Sequence, residues 1–177
     1  DRHIDAGTQD EVGQLMSALE RMRTDLQARA ERERVIAEEN LRARTALDFV
    51  TTNVRIADND GKVLYANRAM LGTVTRIADE LRRHVPGFSL ENFIGSNITA
   101  ICTNPEFVRK SRTTVEGGTQ AELVIGHHVF DYVSTPIIGA SGERIDTVGE
   151  WIDRTEEVAI ERQVTDVVVA AGQGDFT

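Results

Sequence analysis

The chain has 177 residues, of which 40% are hydrophobic, and its formal net charge is −9. This length allows one domain of ordinary size with additional helix, and the acidic balance without a long basic cluster argues against nucleic acid as a partner. The single cysteine, Cys102, excludes an intrachain disulfide and fits a reducing compartment. No apolar run approaches the ~18 residues of a membrane span, and no signal peptide is recognisable.

The N-terminal region predicts a long charged helix that follows a short loop at residues 1–9. Apolar residues recur at heptad-like spacing through Val12, Leu19 and Leu26, which indicates a narrow seam that needs a partner helix. We expect that partner to be a second copy of the chain. The seam weakens over residues 27–40, which indicates either a marginal, solvated coiled coil or two helix packings close in energy.

Residues 53–67 predict a β-hairpin that leads into a helix. The apolar residues at alternating positions, which we expect on the buried face, are Val54, Ile56, Val63 and Tyr65. The turn contains Asp60-Gly61, and Gly61 can adopt a positive φ without steric cost. Asn67 closes the hairpin at the entrance to the helix.

Short helices are predicted after the hairpin. They span residues 66–71, 75–84 and 98–103. A longer helix is predicted from Asn104-Pro105 to about residue 115, because proline suits the first helical position.

Period-two alternation then returns and predicts three more strands. They span residues 121–125, 129–137 and 145–153, and a final helix is predicted at 156–171. This order predicts an α+β fold with a five-stranded antiparallel sheet and short helices, flanked by a long N-terminal helix and a C-terminal helix.

Two stretches carry a resemblance to a known family. The hairpin Asn53–Asn67 resembles the opening hairpin of PAS domains in bacterial methyl-accepting chemotaxis proteins, and Asp153-Arg154-Thr155 resembles the D-x-T signature that ends the last PAS strand. Residues 10–15, with Met22 and Leu26, resemble the second helix of a HAMP domain, without the first helix. The resemblance implies a HAMP helix and coiled-coil linker at 1–40, a PAS sensor at 41–155, and a signalling helix with the start of a next module at 156–177.

The resemblance also implies a candidate cofactor site at Cys102 and Trp151. Some chemoreceptor PAS domains of this subtype bind haem b through a histidine just before an Asn-Pro pair, with a tryptophan on the last strand. Trp151 matches that tryptophan, but Cys102 stands near Asn104-Pro105 where the family has histidine. Cys102 is then a buried hydrophobe in a haem-free domain, a thiolate ligand of haem, or part of a pocket for another small molecule. Trp151 is alternatively core filler whose N–H bonds to the backbone.

Asp153 and Thr155 are candidate signal-coupling residues. They lie where the last strand is predicted to become the final helix, and either side chain can accept from the first N–H groups of that helix. The resemblance implies that they link the sheet to the exiting signalling helix. A simple helix cap and a coupling element both remain open interpretations.

A pocket in the centre of the predicted domain distinguishes a sensor from a spacer. If the pocket is open, the domain is expected to be a sensor; if side chains fill it, the domain is expected to be a ligand-free dimerisation and relay spacer. The expected lining residues are Phe93, Ile98, Ile101, Val108, Val133 and Trp151.

No spacing typical of a catalytic or metal site occurs, so no enzyme is predicted. His127 and His128 are adjacent, and we expect their side chains to point apart and not to share a metal ion. The abrupt ends indicate an internal fragment of a longer protein.

The resemblance implies a homodimeric signalling fragment of a chemoreceptor. The fragment would belong to the cytoplasmic portion of a membrane-anchored receptor that acts through a downstream module on a kinase and adaptor. A histidine kinase or a cyclase is the alternative output.

Overall fold

A computed structural model describes residues 7–102, 104–114 and 116–172 of the chain. The chain divides into two compact units, residues 1–46 and residues 47–177. Helix α1, Gly7–Asp48, accounts for the described part of the first unit and ends just inside the second. Residues 7–9, predicted as loop, form the start of α1, where Gly and Thr are tolerated better than in a helix interior. Residues 1–6 of that predicted loop lie outside the described residues.

The predicted seam of α1 is exposed in the single chain. Val12, Leu19 and Leu26 each expose more than half of their surface. A helix with such a stripe needs a partner from outside to bury it. No helix among the described residues has the length and apolar character required to cross a membrane.

An antiparallel five-stranded sheet forms the centre of the second unit. Its strands lie in the order β2-β1-β5-β4-β3, so the last strand of the chain pairs with the first. The predicted α+β fold is confirmed. The strands are β1 Asn53–Asp58, β2 Val63–Ala66, β3 Thr119–Ile125, β4 His128–Ile138 and β5 Arg144–Asp153.

Short helices between β2 and β3 pack on one face of this sheet and enclose the hydrophobic core. The α-helices of the second unit are α2 Arg68–Arg76, α3 Ala78–His84, α4 Pro105–Thr113 and α5 Thr155–Gly172. Two 3-10 turns, Leu90–Asn92 and Ile98–Ala100, lie between α3 and α4. The helix predicted at 98–103 is therefore only a 3-10 turn.

The hairpin forms as predicted, but the inward face of β1 is not the predicted one. Gly61 adopts a φ of 88° in the turn. Arg55 and Ala57 face the core, with 2% and 1% of their surface exposed, while Val54 and Ile56 lie on the opposite face. Alternation cannot choose between two faces that are both largely covered, and Val54 on the outer face is also buried.

Val63 and Tyr65 of strand β2 lie on opposite faces of the sheet, although they were predicted to share one. Val63 is 1% exposed and belongs to the core. Tyr65 pairs with Ile56 on the other face, and its hydroxyl donates to Asp48 Oδ1 at 2.8 Å. A β-bulge opposite Ile56 and Ala57 shifts the register between β1 and β2, so the side chains of Val63 and Tyr65 lie on opposite faces of the sheet.

Candidate functional site

A small, partly open cavity with a mixed polar and apolar lining lies in the second unit, bounded by β1, β4, β5, the second 3-10 turn and α4. Its volume is about 30 Å³. Cys102, Ile98 and Val108 are part of its wall. Polar side chains in the wall include Arg55, Arg112, Tyr132, Ser134, Arg144 and Thr147.

Arg55 places a buried guanidinium in this wall. Its Nη2 donates to the Tyr132 hydroxyl, and its Cζ lies 5.4 Å from the centroid of the Tyr132 ring. Its Nε and Nη1 have no hydrogen-bond partner, and no carboxylate among the described residues lies within 4.0 Å of it. Burial lowers the pKa of Arg55 to about 10, so the group is still charged at neutral pH. A buried charge without a counterion is costly.

Gly149 makes room for that guanidinium. It pairs with Arg55 across β1 and β5. A Cβ atom at Gly149 would lie 2.7 Å from both Cζ and Nε of Arg55. The absence of a side chain at Gly149 therefore allows the guanidinium to lie flat against β5.

Arg144 is the second arginine with unsatisfied groups in the cavity wall. Its Nη2 donates to Thr147 Oγ1 at 2.5 Å, while its buried Nε and Nη1 have no partner. Burial, together with the nearby Arg112, lowers the pKa of Arg144. Repulsion between these cations is therefore part of the electrostatics of the cavity.

Cys102 lies in the cavity wall, as one of its three predicted alternatives requires. Its side chain is 5% exposed. Burial raises the pKa of the Cys102 thiol, although the Asn104 backbone and Arg55 oppose this shift. The neutral thiol is thus favoured, and a thiol is a poor metal ligand compared with a thiolate.

Trp151 fills the core beside the cavity and does not line it. It is 1% exposed and packs against Phe130 and Tyr132, with ring centroids 5.4 and 6.3 Å away. Its indole N–H has no partner among the described residues, so the predicted bond to the backbone is wrong. The structure brings Cys102 to the cavity but not Trp151.

The predicted pocket is largely filled by its own side chains. Ile98 and Val108 line the cavity, whereas Phe93 and Ile101 are packed in the core with at most 2% exposed. Val133 lies on the opposite face of β4 from the inward residues Tyr132 and Ser134. The prediction that Val133 lines the pocket was wrong, because period-two alternation does not say which face of the strand is inward.

The cavity does not fit a haem group. Pockets that hold cofactors have volumes of roughly 300–1,000 Å³, about tenfold above the volume of this cavity, about 30 Å³.

We expect the purified chain to show no Soret absorption band, because the histidine expected near Asn104-Pro105 is replaced by Cys102 and the cavity is small. The absorption spectrum after expression with added haem precursor measures this. A Soret band that survives purification and shifts in Cys102→Ser would contradict the expectation.

His127 and His128 do not point apart as predicted. Their ring centroids are 4.0 Å apart, and the preceding residue, Gly126, has a φ of 61° in the turn between β3 and β4. With Glu80 they place three ligand atoms within 4.8 Å of one another. Burial lowers the pKa of His128, which favours its neutral, ligand-competent form. Glu80, however, already lies 3.3 Å from the Arg83 guanidinium.

Asp153 connects three elements where β5 ends. Its Oδ2 accepts from Arg76 Nη2 of α2 at 2.8 Å. Its Oδ1 accepts from Thr155 N at 3.1 Å and from Thr155 Oγ1 at 2.6 Å. Partial burial opposes the charged form, but the bonds from Thr155 and Arg76 hold the pKa of Asp153 below its usual value.

Thr155 and Arg154 connect the start of α5 to β4. Thr155 Oγ1 accepts from Val129 N at 3.1 Å, and Arg154 N donates to Val129 O at 2.8 Å. The structure thus brings the predicted pair Asp153 and Thr155 together. The Arg154 guanidinium lies 2.9 to 3.6 Å from three carboxylates, those of Asp131, Glu157 and Glu161.

Comparison with known proteins supports the predicted resemblance. No protein-family model matches the chain. Over 167 residues, or 93% of its length, it is 34% identical to the methyl-accepting chemotaxis protein McpB of Pseudomonas aeruginosa. The chain spans about 25% of the length of that curated relative.

Solved structures similar to this chain include PAS domains. One from an HTR-like protein of Haloarcula marismortui has a TM-score of 0.50 at 12% identity, covering 70% of this chain and 98% of that one. The Aer2 receptor of Vibrio cholerae, described as a dual PAS-heme oxygen sensor, has a TM-score of 0.49 at 26% identity, covering 58% and 93%. With the strand order described above, the second unit has a PAS fold, and the chain is homologous to a segment of a methyl-accepting chemotaxis protein.

Proposed function

We propose that this fragment senses a change in its PAS core and relays it to α5 through the junction Asp153-Arg154-Thr155. The network at this junction carries the proposal. One carboxylate, Asp153, binds both Arg76 of α2 and Thr155 of α5, and Thr155 also binds the β4 backbone. A shift of β4 relative to β5 therefore has direct bonds through which to move the start of α5.

The relay requires an element with two arrangements. Arg154 is such an element, because its guanidinium lies near Asp131 of β4 and also near Glu157 and Glu161 of α5. These contacts are partly exposed and individually weak. Their balance is therefore easily shifted by a movement in the sheet.

Dimerisation through helices is part of the same proposal. On α5, Ile160, Val164 and Val167 are spaced four and three residues apart, and each exposes more than half of its surface. This is the heptad spacing that buries apolar residues between two helices. Together with the α1 seam, it supports a homodimer whose helices change packing during signalling.

The wider assignment follows the resemblance. We propose a HAMP helix and linker at 1–40, the PAS sensor at 41–155 and a signalling helix at 156–177. The fragment would be non-enzymatic and would belong to the cytoplasmic portion of a membrane-anchored receptor, with a kinase and adaptor downstream. The homology to a chemotaxis protein supports this assignment.

Replacing Asp153 with alanine tests the relay. We expect Asp153→Ala to lower stability by about 1 kcal/mol, as for the loss of a helix cap, but to change the signalling bias of the receptor that contains this segment. The measurements are denaturant unfolding of the fragment and output bias of the receptor. Unchanged output would contradict the coupling role.

Asp79→Ala is the matched control, because Asp79 makes an exposed ion pair with Arg82 that does not touch the junction. Its output should equal that of the wild type.

The pH dependence of stability adds a second check. Since the folded-state pKa of Asp153 is lowered, the stabilisation that depends on its charge is present above the ordinary aspartate pKa of about 4 and is lost as the pH falls from there through the folded-state pKa. The stability difference between wild type and Asp153→Ala should shrink over the same pH range.

A ligand-free relay spacer is the second candidate function. It is favoured by the packing of Phe93, Ile101 and Trp151, each at most 2% exposed, where the predicted pocket would be. A spacer would bind nothing in the remaining cavity, so ligand binding there separates the two candidates.

A further inference from the structure

We propose that the cavity lined by Arg55 and Arg144 binds a small planar oxyanion, a short carboxylate or nitrate, as the ligand of the PAS core. This assignment deepens the proposed sensor function, on which its signalling consequence rests. Binding itself follows from the cavity alone and is tested separately.

The cavity wall carries excess positive charge. Its charged side chains are three arginines, Arg55, Arg112 and Arg144, and one aspartate, Asp58. Oδ1 of Asp58 already accepts from two backbone N–H groups of the hairpin turn, at 2.8 and 3.0 Å. Cys102 adds no charge, because burial favours its neutral thiol. An anion would thus lower the mutual repulsion of the cations in the wall.

Buried donors in the wall lack acceptors. Arg55 is 2% exposed, and four buried nitrogen atoms, Nε and Nη1 of both Arg55 and Arg144, have no partner. Buried polar groups in native proteins are generally hydrogen-bonded. A guanidinium matches the planar oxygens of a carboxylate or nitrate better than other side chains do.

The wall also supplies neutral donors for the anion's remaining oxygen lone pairs. Ser134 and Thr147 are 2% and 5% exposed, and both have hydroxyl groups. Ile98, Phe107 and Val108 complete an apolar side that would receive a carbon atom or small alkyl group. This mixture of fixed charge, hydroxyls and apolar wall is typical of small-molecule sites.

The volume limits the ligand. One water molecule occupies about 10–15 Å³ of such space, so a cavity of about 30 Å³ accommodates an anion of the size of formate, nitrate or acetate. A larger dicarboxylate would not be enclosed.

The ligand site is continuous with the proposed relay. Arg55 donates to Tyr132, and Tyr132 packs on Trp151, its partner across β4 and β5. Trp151 precedes Asp153 by two residues on β5. An anion that draws Arg55 away from Tyr132 would therefore disturb the strand pair that ends at the junction.

Isothermal calorimetry and Trp151 fluorescence on the purified 177-residue chain test the proposal, since Trp151 is its single tryptophan. Formate, acetate and nitrate are titrated at constant ionic strength against chloride. We expect saturable binding of at least one oxyanion, with an affinity roughly tenfold or more weaker in Arg55→Met. The exposed Arg68 provides the control Arg68→Met, which should bind like the wild type.

Methionine is chosen because replacing a buried charge by an apolar side chain of similar length often leaves stability intact. Arg144→Met is the second variant, should Arg55→Met fail to fold, and it should also weaken binding. Absence of saturable binding of all three oxyanions, or equal affinity in both arginine variants and wild type, would overturn the proposal. If no oxyanion binds but Asp153→Ala still alters the output of the receptor, the ligand class is wrong and the relay remains. If an oxyanion binds but Asp153→Ala leaves the output unchanged, the relay is wrong.

Discussion

Asn67→Ala is expected to lower the free energy of unfolding of the fragment by about 3–5 kcal/mol, because a fully buried side chain would leave several backbone groups without partners. Asn67 is 0% exposed. Its Oδ1 accepts from Val54 N at 3.0 Å and from Met70 N at 2.9 Å. One side chain thus joins β1 to the start of α2.

The amide nitrogen of Asn67 makes the other half of this network. Nδ2 lies 3.1 Å from Leu47 O, 3.3 Å from Val50 O and 2.9 Å from Thr52 O. It therefore holds the segment between the end of α1 and the first strand. Asn67→Asp should be as harmful as the alanine variant, since a carboxylate would face these three carbonyl oxygens.

Asn104→Ala is the matched control, because Asn104 is also an N-cap but is exposed. It should cost only about 1 kcal/mol, the usual value for loss of a cap. Urea unfolding of both variants measures the difference. Equal losses for Asn67→Ala and Asn104→Ala would show that the buried network contributes nothing beyond capping.

Gly149→Ala is expected to destabilise the fragment by about 1–3 kcal/mol, the range for overpacking a filled interior. The new methyl group would lie 2.7 Å from Cζ and Nε of Arg55. The guanidinium would have to move away from Tyr132, and oxyanion affinity should fall with it. Urea unfolding and calorimetry measure the two effects.

Gly72→Ala provides the control for Gly149→Ala. Gly72 lies in α2, and a Cβ there would meet nothing within 4 Å. Alanine should therefore stabilise the helix by about 0.5–1 kcal/mol.

In an Arg55→Ala background, Gly149→Ala should lose most of its destabilising effect, because the clashing guanidinium is gone. An undiminished loss of stability would place the strain elsewhere.

Much of the fold could be predicted from local patterns. Asp60-Gly61 identified the hairpin, and Asn104-Pro105 identified the start of α4, because the steric and hydrogen-bonding requirements of these residues act within a few positions of the chain. Alternation located all five strands. It did not establish which face of each strand is inward, since period two is the same for both faces.

The residues of the junction were predicted, whereas of the cavity wall only Ile98, Val108 and Cys102 were. Asp153 and Thr155 were identified from the resemblance to the D-x-T signature of PAS domains and from their place at a predicted strand-to-helix boundary, where a capping residue is recognisable locally. Arg55 stood in the sequence as the one basic residue of the strand Asn53–Asp58, which is the signal that was available. A charge at such a position usually points to solvent, and only its pairing with Gly149 and its bond to Tyr132 place it inside.

The sequence by itself determined the elements, the α+β class, the resemblance to PAS domains and the residues at the junction, because these depend on short-range periodicity, turns and caps. Only the tertiary structure decided that Arg55, Arg144 and Cys102 share one small cavity and that His127, His128 and Glu80 meet. Those groups come from positions far apart in the chain, and the register of β1, β4 and β5 brings the cavity residues together. Register depends on packing between strands, which no local pattern of residues contains.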